Sequence, residues 1–176
     1  MSSRRLIGLT LCFVMMASPL AASSASFTKG PTITAFGPVA DVPGVVLDET
    51  SKFRVAFDVA EASEVGQINR RLESAARFIN MHTAVGVPLE NIDIAVVVHG
   101  GAAIDLVNDE RFGGVNKNAA LIEALVNANV QIILCGQTAA YRDIDAKDLL
   151  PGVVMSLSAM TAHAKLQQDG FTLNPF

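Results

Sequence analysis

The chain has 176 residues, of which 51% are hydrophobic and 17% are charged, and its formal net charge is −4. It has no run of lysine and arginine long enough to bind nucleic acid, so DNA and RNA are not expected as partners. Tryptophan is absent and aromatic residues make up only 6% of the chain, which argues against a stacking platform for carbohydrate or nucleic acid. The high apolar fraction predicts that part of the surface is covered in a homo-oligomer.

Residues 1–25 have the three-part pattern of a secretory signal peptide. Arg4 and Arg5 precede a largely apolar stretch over residues 6–20, and small residues follow. The stretch is too short for a comfortable transmembrane helix of about 20 residues. We therefore expect cleavage after Ala25, export to the periplasm and no stable membrane insertion afterwards, with an uncleaved anchor as the alternative.

An N-terminal arm precedes the predicted domain. Residues 26–50 are rich in proline and glycine and lack periodicity, which is typical of an extended segment. The domain, residues 51–176, opens with alternating apolar residues over 52–59 that predict a strand. Ser63 is the predicted N-cap of the next helix, whose apolar residues recur at helical spacing until the break before Pro88.

The middle of the chain continues the alternation of strand and helix. The unbroken apolar run over residues 92–98 predicts a strand buried on both faces of a parallel sheet. A short helix over 102–107, a polar loop over 108–116 and an amphipathic helix from Ala119 follow. Three acidic residues are predicted to form a solvated loop face: Asp105, Asp109 and Glu110.

The last third of the chain adds the remaining strands. Residues 130–134 and 153–157 are predicted strands, and residues 171–173 add a short one. Asp145 is predicted to cap a turn of helix, and Ser158 is predicted to cap the final helix. The order predicts an α/β fold with a parallel sheet of about five strands and helices on both faces.

Cys135 is the main candidate for chemistry. Signal cleavage would remove Cys12 and leave Cys135 as a lone thiol, which is inert, pairs with another chain or reacts. It follows the third predicted strand, and a helical turn beginning at Gly136 would favour its thiolate. Arg142 could add positive charge. The alternative is that Cys135 is a small hydrophobe ending a buried strand.

Further candidates lie near the same predicted sheet edge. His99 ends the second strand and is either a base or hydrogen-bond partner for Cys135, or a histidine bonded to the backbone. Gly100 and Gly101 form either a tight turn or an amide site for an anion. His82 and His163 lie on separate predicted helices without ligand spacing, so no metal or cofactor is predicted. Amides expected to stabilise negative charge on sulfur belong to Gly136, Gln137 and Thr138.

Six segments resemble the DsrE/DsrF-like family of small sulfur-relay proteins, which has a YchN-like fold. The resemblance covers about residues 52–173. Its most specific parts are the cysteine segment and the Leu-Leu-Pro-Gly-Val segment. The matching segments are Phe36-Gly37-Pro38-Val39, Lys52-Phe53-Arg54-Val55-Ala56-Phe57-Asp58, Val96-Val97-Val98-His99-Gly100, Cys135-Gly136-Gln137-Thr138-Ala139-Ala140, Leu149-Leu150-Pro151-Gly152-Val153 and Gln167-Gln168-Asp169-Gly170-Phe171.

The resemblance implies a three-layer α/β/α sandwich that assembles as trimers or hexamers. In characterised sulfur-relay members, the cysteine matching Cys135 carries sulfur as a persulfide and passes it to a partner thiol. Export, the arm and the Gly136-Gln137 pair differ from the cytoplasmic relay proteins and count against a role in tRNA modification. The prediction is a sulfur carrier with thiol or persulfide donor and acceptor proteins. The alternatives are a non-catalytic oligomeric ligand-binding or scaffold protein and a thiol-redox sensor.

Overall fold

The computed structural model describes residues 27–174. The predicted signal peptide, residues 1–25, lies outside these described residues, as does Cys12. Across residues 27–174, no helix combines the length and the apolar character that crossing a membrane requires.

Five parallel strands form one sheet in the order β4-β3-β2-β1-β5. The predicted parallel sheet of about five strands is thereby confirmed. Strand β2 is buried along almost its whole length, which explains its unbroken apolar sequence. The strands are β1 (Phe53–Val59), β2 (Ile92–Val98), β3 (Gln131–Cys135), β4 (Val153–Ser156) and β5 (Thr172–Asn174).

Helices cover both faces of the sheet, as predicted for the α/β/α sandwich. Helices α1 and α3 pack on one face together with a 3₁₀ segment at Gly100–Leu106, and α5 packs on the other. Helix α4 stands at the carboxyl end of β3. The helices are α1 (Arg70–Ala84), α2 (Asp109–Phe112), α3 (Ala119–Asn127), α4 (Gly136–Tyr141) and α5 (Ala159–Gln168).

Strand alternation divides the core between the two faces. Successive side chains of a strand point to opposite faces, so Phe57 packs towards α1 while Ala56 packs towards α5. Val97 of β2 and Ile133 of β3 share the α5 side with Ala56. This alternation fixes which polar residues at the strand ends face α5.

Helix α1 begins six residues later than predicted, because Asn69 rather than Ser63 is its N-cap. The Asn69 side chain accepts hydrogen bonds from two first-turn N–H groups. Ser63 instead donates its N–H and its hydroxyl to Asp105, at 2.9 and 2.7 Å. Asp105 is therefore not on a solvated face as predicted: it is fully buried, because its carboxylate satisfies the donors of the loop after β1.

The predicted polar loop over residues 108–116 contains one helical turn, α2. The Asn108 side chain caps this turn by accepting the Arg111 N–H at 2.9 Å. Short polar side chains are favoured at N-caps, so the polar composition that predicted a loop is also compatible with the start of a helix. Asp109 and Glu110 are exposed, as predicted.

The N-terminal arm, residues 27–50, is bound to α1 through Asn80. This buried side chain accepts the Ile33 N–H at 2.8 Å and donates to the carbonyls of Ile33, Phe36 and Gly37 at 3.0, 2.9 and 3.0 Å. Gly37 lies so close to α1 that a Cβ would stand 2.3 Å from a helix backbone nitrogen. The arm is thus part of the packed structure. The boundary drawn at residue 51 stays a prediction.

Candidate functional site

Cys135 ends β3 and is the N-cap residue of α4. It is only 6% exposed. The donors nearest its sulfur in their effect on the thiol are the Thr138 hydroxyl and the backbone N–H groups of Thr138, Ala159 and Gln137. The first turn of α4 and the first residue of α5 therefore converge on one thiol.

These hydrogen bonds decide the ionisation of Cys135. Burial raises the pKa of the thiol, but the hydrogen bond from the Thr138 hydroxyl and those from the three backbone amides together outweigh it, so the pKa is lowered. Donors aimed at sulfur stabilise the thiolate more than the thiol. The thiolate is the nucleophilic form, so the surroundings of Cys135 favour reaction.

Two glycines and a threonine build this arrangement. A Cβ on Gly136 would lie 2.6 Å from the Ser156 carbonyl oxygen, so β4 can approach only a glycine there. The Thr138 hydroxyl oxygen accepts the Gly100 N–H at 3.2 Å, which leaves its proton free to point at sulfur. The Gly100 amide is therefore engaged within the fold rather than open for an anion.

Gly101 packs against the loop that follows β1. A Cβ at this position would lie 3.2 Å from the Ala62 nitrogen and 3.3 Å from the Ala60 oxygen. Gly100 also approaches the Ala60 oxygen, with a φ of +55°. This geometry favours the tight-turn interpretation of the glycine pair over the anion site.

The strand register places His99 next to Cys135. Val98 of β2 pairs with Leu134 of β3, and the residues that follow them are His99 and Cys135. Both lie two positions beyond residues that face α5, Val97 and Ile133, so both belong to the α5 face. The predicted convergence at the carboxyl edge is therefore present in the backbone.

The imidazole ring of His99 bonds to Asp58 rather than to a backbone group. Its Nε2 lies 3.1 Å from Asp58 Oδ2, and His163 Nε2 lies 2.7 Å from Asp58 Oδ1. Asp58 is the penultimate residue of β1, and His163 belongs to α5. A single carboxylate thus links the ends of two strands to the helix that covers them.

The ionisation of Asp58 is set by these two histidines. Partial burial raises the pKa of the carboxyl group, but hydrogen bonds from His163 and His99 and the attraction of their charges lower it overall. Asp58 therefore remains a carboxylate. Beside it lies a cleft of about 350 Å³, lined by Asp58, Ala60, Glu61, Arg71, His163 and Leu173.

Three residues considered from the sequence lie apart from this group. Arg142 follows the last residue of α4, with Cys135 at the opposite end of the helix, and its side chain is exposed. The structure does not bring its charge to the thiol. His82 stacks on Phe78 with ring centroids 4.0 Å apart. The Gln137 side chain donates to the Leu157 carbonyl at 3.4 Å, so only its backbone amide serves Cys135.

Sequence reasoning missed Asp58 and the use of His163. The position of Asp58 near the end of a predicted strand could have identified it, because functional residues gather at the carboxyl edge of a parallel sheet. The contact of His163 with Asp58 joins residues 105 positions apart, and no local pattern contains it. Within residues 27–174, no group of three or more His, Cys, Asp or Glu side chains is arranged to hold a metal ion.

The fold is similar to two solved structures. One is a protein of unknown function, MTH1491 from Methanobacterium thermoautotrophicum, with 22% identity over 71% of this chain and 100% of that one, and a TM-score of 0.57. The other is the ychN protein from E. coli, with 18% identity over 70% of this chain and 100% of that one, and a TM-score of 0.52. At these identities the similarity shows the fold alone.

No curated protein matches the sequence. The sequence profile of the DsrE/DsrF-like family matches residues 53–175, a range that holds the whole sheet and Cys135. The resemblance noted from the sequence segments is thereby confirmed, and the chain belongs to the DsrE/DsrF-like family.

Proposed function

We propose that the protein is a sulfur carrier that holds sulfane sulfur as a persulfide on Cys135. The observation that carries this proposal is the position of Cys135 between β3 and α4, where the Thr138 hydroxyl and three backbone N–H groups lower the pKa of the thiol despite its burial. Membership of a family linked to sulfur relay supports the same chemistry.

The proposed reaction has two steps. The Cys135 thiolate attacks the outer sulfur of a donor persulfide or polysulfide, so that an S–S bond forms at Cys135 as the donor S–S bond breaks. An acceptor thiolate then attacks the outer sulfur of the Cys135 persulfide, and Cys135 leaves as a thiolate. The amides of Gln137, Thr138 and Ala159 stabilise the negative charge on the Cys135 sulfur in both steps.

The test is uptake of sulfur by the folded protein. The mature chain is incubated with sodium tetrasulfide and desalted, and its intact mass is then measured by native mass spectrometry. We expect the gain of one sulfur atom, released by dithiothreitol, and no gain in Cys135→Ser. Unchanged mass in a protein whose thiol is still titratable would contradict the carrier function.

The low exposure of Cys135 favours one alternative, a non-catalytic ligand-binding or scaffold protein. A side chain that is 6% exposed can also be a packed hydrophobe. Titration with a thiol reagent separates the two functions, because a scaffold cysteine reacts only on unfolding while a carrier cysteine reacts in the native protein. The same burial weighs against the redox sensor, since a disulfide between subunits needs two accessible thiols.

We also propose that the protein is exported to the periplasm and acts there as a trimer or hexamer. Exposed apolar residues beside the site support self-association, and we call them the β4 patch: Val154, Met155, Leu157 and Met160. Strand β4 ends the sheet, so its outer edge is also available to a second copy. Donor and acceptor proteins would then reach Cys135 from the carboxyl edge.

A further inference from the structure

Three side chains stand in a row along the carboxyl edge of the sheet. Cys135, His99 and Asp58 belong to or directly follow β3, β2 and β1, which are neighbours in that order. Adjacent strands are about 4.8 Å apart, and all three residues lie on the α5 face. His99 therefore stands between the thiol and the carboxylate.

Helix α5 is attached at both ends of this row. The N–H of Ala159 lowers the pKa of the Cys135 thiol, and one turn later His163 bonds to Asp58 at 2.7 Å. Residues four apart lie on the same side of a helix. The first turn of α5 therefore lies over both the thiol and the carboxylate.

Among the described residues, the ring of His163 forms a hydrogen bond only with Asp58. Its Nδ1 is buried and has no hydrogen-bond partner among the described residues. Its Nε2 bonds to Asp58 at 2.7 Å, where the carboxylate must accept and the ring must donate. Burying an unpaired ring nitrogen lowers stability. The bond from Nε2 nevertheless fixes the Asp58 carboxylate beside His99.

We propose that His99 exchanges the proton of sulfur transfer at Cys135, and that Asp58, held by His163, is the positioning residue for His99. This proposal rests on the proposed carrier function and adds to it the route of the proton. Asp58 binds His99 through Nε2, which leaves Nδ1 as the ring nitrogen that exchanges the proton.

The proton balances over the two steps. In loading, the Cys135 thiolate takes the outer sulfur from a persulfide R–S–SH, and the leaving R–S⁻ receives a proton from protonated His99, which gives R–SH and neutral His99. In unloading, an acceptor A–SH gives its proton to His99, A–S⁻ takes the outer sulfur, and Cys135 leaves as thiolate. The sum is R–SSH plus A–SH giving R–SH plus A–SSH, and sulfur keeps its oxidation level throughout.

The charges around Asp58 suit this cycle. A carboxylate hydrogen-bonded to one ring nitrogen stabilises the imidazolium that forms when the other takes a proton. The remaining charged groups at the cleft, Glu61 and Arg71, form an ion pair with each other at 3.1 Å. Asp58 therefore acts on the two histidines without a competing cation.

The test compares the loading rates of the wild type and four variants with glutathione persulfide across mildly acid to mildly alkaline pH. Asp58→Asn and His99→Gln each remove the proton route, and because a general acid contributes at least about a hundredfold, we expect loading to slow by about a hundredfold or more. Their double variant should be no slower than the slower single variant, since the two residues act as one unit. Asp93→Asn, an exposed aspartate paired with Arg54, is the matched control.

Alkylation by iodoacetamide needs no proton donor and serves as the second measurement. We expect its rate to stay within about threefold of wild type in both variants, and added imidazole to restore part of the loading rate in His99→Ala. Loading that is equally fast in all variants would overturn the proton route while leaving the carrier function intact. Parallel loss of alkylation and loading would overturn it too, because Asp58 would then only hold the thiol in place. Absence of loading in the wild type would refute the carrier function itself.

Discussion

At the scale of single residues, the reactivity of Cys135 depends on the hydroxyl of Thr138, the third residue of α4. Thr138 is fixed by the Gly100 N–H, so its proton is directed at sulfur before any substrate arrives. Pre-oriented donors stabilise a charge without reorganisation at the moment of reaction. The link also ties α4 to the end of β2, where His99 stands.

Thr138→Val is therefore expected to raise the pKa of Cys135. Valine keeps the shape but removes the donor, so the fraction of thiolate at neutral pH falls and alkylation slows by about tenfold or more, the value of one hydrogen bond to a charged group. The sign follows from the lowered pKa of the native thiol: the midpoint of the alkylation rate moves to higher pH. Rates are measured with iodoacetamide over a pH series.

Thr172→Val is the control for this experiment. Thr172 lies on β5, and its exposed hydroxyl donates to the Arg54 carbonyl at 3.1 Å, away from the thiol. An unshifted midpoint in Thr138→Val would show that the backbone amides alone set the pKa of Cys135.

The sequence predicted one part of this site and not another. Cys135, Gly136 and Thr138 are adjacent in the chain, so a strand followed by a helical turn was enough to infer amides near sulfur. The contribution of Ala159 comes from 24 residues further on, and the pairing of Asp58 with His163 depends on where α5 crosses the sheet. Such contacts follow from tertiary packing, which periodicity does not encode.

At the scale of elements, one face of α1 holds the N-terminal arm. Glu73 accepts the Gly37 N–H at 3.1 Å, Arg77 donates to the Pro38 carbonyl at 3.0 Å, and Asn80 binds three further carbonyls. These side chains recur at i, i+4 and i+7, the spacing of one helix face. The arm therefore depends on polar contacts that an apolar-periodicity analysis does not detect.

Asn80→Ala is expected to release the arm. The substitution leaves buried backbone groups of residues 32–37 without partners, which should lower the free energy of unfolding by about 2–3 kcal/mol. Limited proteolysis should then cut within residues 27–50 faster than in the wild type, and chemical denaturation gives the stability. Ser74→Ala, on the same helix with only a local bond to Arg70, should change neither. Equal proteolysis of both variants would show that Asn80 does not hold the arm.

At the scale of the whole molecule, the parallel sheet and the helix layers followed from the sequence, while the strand order and one helix start did not. The unbroken apolar run of β2 predicts a central strand in any parallel sheet. Ser63 was the predicted cap of α1, whereas Asn69 is the cap. Ser63 instead binds Asp105, from another part of the chain.

The β4 patch predicts the state of association. Leu157 and Met160 are 72% and 80% exposed, so lysine at both positions should cost a monomer little stability but would place two charges in an apolar interface. We expect light scattering to give a trimer or hexamer for the wild type and a smaller species for Leu157→Lys/Met160→Lys. Val65→Lys, at an exposed apolar residue of the loop after β1, is the control. A monomeric wild type would contradict the proposed assembly.

The pairing of β1 with β5 has a consequence for how the chain is made. Val55 pairs with Thr172 and Ala56 with Leu173, so the outer edge of β1 is closed only by a strand that lies more than a hundred residues further along the chain. Until then β1 presents open amides and carbonyls, the kind of edge to which a second unfinished chain can add. Arg54, which donates to the Asp169 carbonyl at 2.6 Å, places a charge on that edge, and charged side chains on an open edge disfavour such pairing.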